Sequence, residues 1–186
     1  MHSIQMVDLK SQYDRIKTEV DQAIQGVIDT TAFINGPQVN EFSDALAAYT
    51  GAKYVITCGN GTDALQIAMM GLDFHAGQEV IVPAFTYVAT AEVIALLGLK
   101  PVFIDVIADT YELDISQLES KLSSKTVGIV PVHLYGQCSN MEGILAFDKK
   151  HNLKVIEDSA QAIGAKYTFS DGRTMQAGTM GDVGTT

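Results

Sequence analysis

The chain has 186 residues, 47% of them hydrophobic and 18% charged, and carries a formal net charge of −10. That length and composition suit one compact domain with a sizeable core rather than a disordered segment. The acidic balance argues against nucleic acid and anionic membranes as partners. No apolar stretch after a basic start marks a secretory signal, and the longest apolar run, residues 93–99, is too short for a membrane span. Cys58 and Cys138 lie far apart, without CxxC or histidine spacing. Two free thiols in a reducing cytoplasm are expected, with no disulfide framework and no metal site, in a soluble cytoplasmic protein.

After an extended arm containing Asp8 and Leu9, residues 11–28 read as an amphipathic helix with Ile16, Val20, Ala23, Ile24 and Val27 on one face. Residues 30–37 form a loop broken by Asn35-Gly36-Pro37, and Pro37 opens a second helix that ends at Gly51. From there strands and helices alternate. Strands are expected at 54–57, 79–82, 101–104, 126–132 and 154–158, with helices near 62–69, 86–97, 115–122 and 141–151. Residues 167–178 read as a surface hairpin or loop, and Val183 begins a further apolar strand. The alternation predicts an α/β fold with a mostly parallel sheet and helices on both faces. Ligands of such sheets bind at the rim where strands pass into helices.

Several of these junctions carry chemistry. Residues 155–161, Val-Ile-Glu-Asp-Ser-Ala-Gln, deliver an acidic pair to the end of a buried strand. If a helical turn starts at Ser159, Asp158 and Gln161 lie side by side, an anionic acceptor beside a neutral donor and acceptor. The pair suits a flat heteroaromatic ring with a basic nitrogen and an oxygen; the plainer alternative is that Asp158 caps the next helix. Gly59-Asn60-Gly61-Thr62 opens a helix, where free amides and the dipole favour a phosphate, though an ordinary capped turn has the same composition. Residues 83–87 bring Phe85 and Tyr87 to the rim, one able to stack on a planar ligand and one expected at the core edge. His133 reads as a wall or hydrogen-bonding residue rather than a general base, and His2, His75 and His151 as surface residues.

A dinucleotide reading competes. Gly59, Gly61 and Ala64 match a G-x-G-x-x-A fingerprint, with Glu79 about twenty residues on. Glu79, however, begins its strand rather than ending it. The NAD reading also leaves Asp158 and Gln161 unexplained.

Taken together, Asn-Gly-Thr-Asp-Ala-Leu (60–65), Pro-Ala-Phe-Thr-Tyr-Val-Ala-Thr (83–90), Pro-Val-His-Leu-Tyr-Gly-Gln (131–137) and the 155–161 stretch resemble the DegT/DnrJ/EryC1/StrS sugar-nucleotide aminotransferases. Asp-Leu-Lys-Ser-Gln-Tyr (8–13) and Ile-Asn-Gly-Pro (34–37) match as well, so the resemblance covers nearly the whole chain in order. It implies the aspartate-aminotransferase fold and pyridoxal 5'-phosphate as cofactor. Gly61 and Thr62 would hold the phosphate, Tyr87 would stack on the ring, Asp158 would pair with the ring nitrogen, and Gln161 would bind the phenolic oxygen. Asn35, Gly36 and His133 are the candidates on the substrate side. The implied reaction moves an amino group from an amino acid, usually glutamate, to a nucleotide-linked keto sugar, for amino-sugar and polysaccharide biosynthesis. A homodimer with shared active sites is implied too.

In that family the Schiff-base lysine follows the Gly-Thr-Thr found here at 184–186, and none of the ten lysines present has that context. Residues 1–186 are therefore expected to form an N-terminal arm plus most of the cofactor-binding large domain. The rest of that domain and a small C-terminal domain would be absent, and this chain alone inactive. The alternatives are a noncatalytic pseudo-enzyme that binds the cofactor or a sugar nucleotide, and the NAD-binding domain. If Asp158 meets the ring nitrogen, Asp158→Ala should weaken activity far more than Glu157→Ala.

Overall fold

The computed structural model describes residues 6–186, so His2 lies outside the described residues. Two compact units are present, Met1–Ala45 and Leu46–Thr186.

In the first unit, α1 (Leu9–Thr30) starts where the sequence led us to expect an extended arm. Asp8 is its N-cap: one carboxylate oxygen accepts the Ser11 amide at 3.0 Å and the other the Ser11 hydroxyl at 2.6 Å. The helix ends at Thr31, in a left-handed conformation. The anticipated apolar stripe exists, but no residue of α1 is buried. Gly36 is buried, and a Cβ there would stand 2.5 Å from the Ala32 carbonyl oxygen, so the loop closes only on glycine. Pro37 begins α2 (Pro37–Thr50), which runs on into the second unit and stops before Gly51, with φ +79°.

The second unit is built on a five-stranded parallel sheet. Its strands are β1 (Glu79–Pro83), β2 (Lys100–Ile104), β3 (Thr126–Ile129), β4 (Lys154–Asp158) and β7 (Val183–Thr185), ordered β2-β1-β3-β4-β7. β1 is buried along its whole length, as a strand covered on both faces must be. The pleat divides its residues. Val80 and Val82 join Val130, Ile156 and residues of α3 (Gly61–Gly71) and α4 (Ala89–Leu96) in one core. Ile81 joins Ile129, Val155 and residues of α5 (Leu118–Lys121) and α6 (Met141–His151) in the other. A small hairpin, β5 (Lys166–Thr168) with β6 (Thr174–Gln176), stands where the polar 167–178 stretch was expected to make one.

α6 shows why some boundaries follow directly from sequence. Asn140 caps it through the Gly143 amide at 3.1 Å, Lys149, Lys150 and His151 occupy its negative end, and Asn152 takes the left-handed conformation that stops it. Three expectations are corrected. Residues 54–57 form no strand and pair with none, with Tyr54 and Ile56 exposed; a β-branched run becomes a strand only where a partner strand meets it. The helix expected from 86 begins at Ala89, leaving residues 84–87 as a rim loop. The β3 ladder ends at Ile129 rather than at 132, because Pro131 has no N–H to give, and Val132 rejoins by one bridge to Asp158.

Candidate active site

β4 passes between β3 and β7 and brings Asp158 to its C-terminal end. The peptide there is held from both sides. The Asp158 amide donates to the Pro131 carbonyl at 2.9 Å, its carbonyl accepts the His133 amide at 2.9 Å, and the Ser159 amide donates to the Thr185 carbonyl at 2.8 Å. The Asp158 side chain is buried, with one oxygen accepting the Thr90 hydroxyl at 2.8 Å and the other the Ala160 amide at 3.3 Å. A carboxylate has about four acceptor positions, so this one keeps unused capacity. Thr90 had no assigned role in the sequence reading. It sits on the buried face of α4, and the hydroxyl of Thr86, in the loop before that helix, is 3.4 Å away. A polar threonine in the mostly apolar stretch 88–97 was the signal available.

No helix follows Ser159. Residues 160–164 form turns closed by the Ala162 amide on the Ser159 carbonyl at 2.9 Å, so Asp158 is not a helix cap. The same turns carry Gln161, whose side-chain oxygen accepts the Tyr135 amide at 3.0 Å. With the oxygen committed inward, the amide nitrogen is the end left to donate to a ligand.

α3 reaches the same rim. Asn60 caps it, its side-chain oxygen accepting the Asp63 amide at 2.9 Å and its carbonyl the Ala64 amide at 3.0 Å. The amides of Gly61 and Thr62 stay free, at the positive end of an eleven-residue helix. A Cβ on Gly61 would lie 3.6 Å from the Thr186 backbone, and the Thr186 hydroxyl is 3.4 Å from the Ser159 carbonyl. The helix start is thus linked to the residue that follows Asp158.

Aromatic side chains line the strand ends. Tyr87 is 71% exposed and Phe85 46%, so neither fills the core edge as one was expected to. Phe85 instead stacks on Tyr111 with centroids 5.5 Å apart, and Tyr111 meets Tyr135 edge-on at 5.9 Å.

The other sequence candidates fall elsewhere. His133 has no exposed surface; one ring nitrogen is 2.9 Å from Glu157 and the other accepts the Ser139 amide at 3.1 Å. Its expected contact with substrate is therefore replaced by contacts inside the protein. Asn35 and Gly36 belong to the Met1–Ala45 unit. Glu79 lies at the opposite end of β1, bonded to Lys100 at 2.8 Å and Ser123 at 2.5 Å, which hold its carboxyl below the usual range. Glu79 is thus at the wrong end of its strand to meet a ribose beside Gly61, and the dinucleotide reading loses the acid it relied on. A cavity of about 510 Å³ lined by Tyr49, Lys166 and Gln176 shares no residue with the rim. Among the described residues no three His, Cys, Asp or Glu side chains group as metal ligands, and no helix is long and apolar enough to cross a membrane.

The donor set fits a phosphorylated heteroaromatic ring: free helix-start amides for the phosphate, a carboxylate with spare capacity for a ring nitrogen, an outward amide for a ring oxygen, and an exposed tyrosine. Comparison with known proteins points the same way. The DegT/DnrJ/EryC1/StrS aminotransferase family matches residues 14–186. A UDP-2-acetamido-2-deoxy-3-oxo-D-glucuronate aminotransferase of Pseudomonas aeruginosa is 51% identical over 164 residues, covering 88% of this chain and 46% of its own length. A pleiotropic regulatory protein of Geobacillus stearothermophilus is 47% identical, covering 89% and 44%. Among solved structures, a DegT DnrJ EryC1 StrS aminotransferase from Brucella abortus superposes with a TM-score of 0.89 at 39% identity, covering 98% of this chain and 49% of its own. NtdA from Bacillus subtilis, solved with bound cofactor PMP, superposes at 0.81 with 32% identity, covering 88% and 38%. The chain spans about half the length of the curated relatives it matches.

Proposed function

The chain belongs to the DegT/DnrJ/EryC1/StrS aminotransferase family, and from that premise we propose that it carries the cofactor half of a pyridoxal-phosphate-dependent sugar-nucleotide aminotransferase. The observation that supports this reading most is the unequal use of Asp158 and Gln161. Asp158 accepts only two hydrogen bonds from the chain and keeps acceptor capacity, while Gln161 commits its side-chain oxygen to Tyr135 and leaves its amide nitrogen free, on the rim where α3 presents its unpartnered amides.

In this reading the Gly61 and Thr62 amides bind the phosphate, and Tyr87 lies against the ring. Asp158 holds a proton on the ring nitrogen, because a carboxylate beside a basic nitrogen favours its charged form. Gln161 donates its amide to the phenolic oxygen. Thr90 and the Ala160 amide keep the Asp158 carboxylate turned toward the ring. When bound, the cofactor supplies an electron sink for the carbanion formed at the carbon that bears the nitrogen. The amino group passes from an amino acid, with glutamate as donor, to a keto group on a nucleotide-linked sugar, in amino-sugar and polysaccharide biosynthesis. Asn35 and Gly36 serve the substrate side. Residues 1–186 supply the arm and most of the large domain, and the protein works as a cytoplasmic homodimer. The bare apolar stripe of α1 supports a partner surface.

The test uses the full-length protein with pyridoxal phosphate, glutamate and a UDP-linked 3-keto sugar. Expected are a covalent cofactor adduct after borohydride reduction and an amino sugar by mass spectrometry. The regulatory name of the Geobacillus relative favours one second reading, a protein that binds the cofactor without transferring the amino group. Cofactor binding with neither adduct nor amino sugar would select it, and no binding at all would overturn both.

A further inference from the structure

On the face of β4 opposite Asp158, the Glu157 carboxylate is completely buried and accepts four hydrogen bonds. One oxygen takes the Met180 and Gly181 amides, both at 2.6 Å; the other takes the Gly178 amide at 2.9 Å and lies 2.9 Å from His133 Nε2. About four acceptor positions exist on a carboxylate, and all are used. Because His133 Nδ1 accepts the Ser139 amide, the ring proton sits on Nε2 and points at Glu157. The Ser139 hydroxyl, bonded to the Val132 carbonyl at 2.9 Å, fixes that turn in place.

These partners come from the two chain segments that flank Asp158. His133 follows β3, and residues 178–181 lead into β7. The approach of the second segment depends on glycine: a Cβ on Gly181 would lie 2.7 Å from the Val155 carbonyl oxygen, and Gly178 has φ +82°. Both segments also bond the Asp158 region through the backbone, His133 to the Asp158 carbonyl and Thr185 to the Ser159 amide. The Thr185 hydroxyl donates to the Glu157 carbonyl at 3.0 Å. Two residues after His133, Tyr135 turns its amide onto Gln161, with φ +57°, a conformation such residues rarely adopt.

We propose that Glu157 and His133 are positioning residues: the carboxylate ties the segments after β3 and before β7 together beneath the strand end, and so sets where Asp158 and Gln161 meet the cofactor ring. The inference rests on the pyridoxal-phosphate reading of the site. A displacement of about 1 Å at such a group is enough to lose much of its effect.

The experiment is a pyridoxal-phosphate titration by absorbance on the full-length protein, with thermal melts alongside. It compares Glu157→Gln, His133→Leu and His133→Gln, each with Asp158 intact and with Asp158→Asn. Glu157→Gln turns an amide donor toward groups that are themselves donors, and His133→Leu removes the donor; each is expected to weaken binding about tenfold. His133→Gln keeps an N–H where Nε2 was and should restore binding to within about threefold of wild type. If the network acts through Asp158, most of the tenfold loss disappears in the Asp158→Asn background. Wild-type affinity in folded Glu157→Gln or His133→Leu overturns the proposal, as do losses that simply add to that of Asp158→Asn. Should Glu157→Gln fail to fold, the two His133 variants carry the same test. If the wild type binds while these variants show no coupling, this inference alone fails. A wild type that binds no pyridoxal phosphate overturns the functional reading and this inference with it.

Discussion

Two neighbouring carboxylates on one strand have been given opposite tasks. The pleat of β4 sends Glu157 to the face with Val155 and Asp158 to the face with Ile156. Glu157 spends every acceptor position on this chain, whereas Asp158 accepts one hydroxyl and one longer amide bond and retains capacity. Burial does not separate them, since both are buried. What separates them is saturation: Glu157 is a buried acid that the fold satisfies in full, and Asp158 is one left with acceptor capacity, which is the property the proposed ligand role draws on.

The contrast is sharpest in alanine variants. Glu157→Ala strands three backbone amides and the His133 N–H, and should cost about 3–5 kcal/mol in chemical denaturation. The expectation from sequence that Asp158→Ala weakens activity far more than Glu157→Ala therefore has to be read per folded molecule, because the damage of Glu157→Ala falls on stability. Asp158→Ala should leave stability within about 1 kcal/mol while lowering the amino-transfer rate about a hundredfold, because it removes a charge acting where the transition state needs it. Comparable activity losses per folded molecule would erase the distinction between the two acids.

Thr90→Val probes the Asp158 side more gently. It keeps shape and removes one hydrogen bond, so pyridoxal phosphate should bind roughly fivefold to tenfold more weakly, about 1 kcal/mol, with little change in the melting temperature. An unchanged dissociation constant would mean that Thr90 does not orient the carboxylate.

The smallest effect is in thiol labelling. Burial, reinforced by Glu157 and Glu112, pushes the Cys138 thiol up to about 11. The folded state therefore keeps its proton where the unfolded state has lost it, and stability from this group falls as pH rises from the ordinary thiol range toward about 11. At pH 8 a maleimide should modify exposed Cys58 quickly and Cys138 only on unfolding. Equal rates would show the Glu157 face to be open.

Much of this was legible from residues alone. The boundaries of α6 follow from Asn140, the basic last turn and Asn152, and β1 is recognisable as an apolar run closed by Pro83. Asp158 and Gln161 could be picked out because their types and spacing are unusual at a strand end. The failures share one cause, which is dependence on distant partners. Residues 54–57 have strand composition but no neighbour, Thr90 acquires meaning from an acid 68 positions away, and Glu157 from amides at 178–181. Local sequence carries propensity and period; it does not carry which groups a fold will bring within 3 Å.

The most direct measurement is ¹⁵N NMR of the full-length protein loaded with pyridoxal phosphate labelled at the ring nitrogen. The account predicts a protonated ring nitrogen in the wild type and in Glu157→Gln, and an unprotonated one in Asp158→Ala at the same pH. A ring nitrogen unprotonated in the wild type, or still protonated in Asp158→Ala, would contradict the assignment of Asp158 on which the account depends.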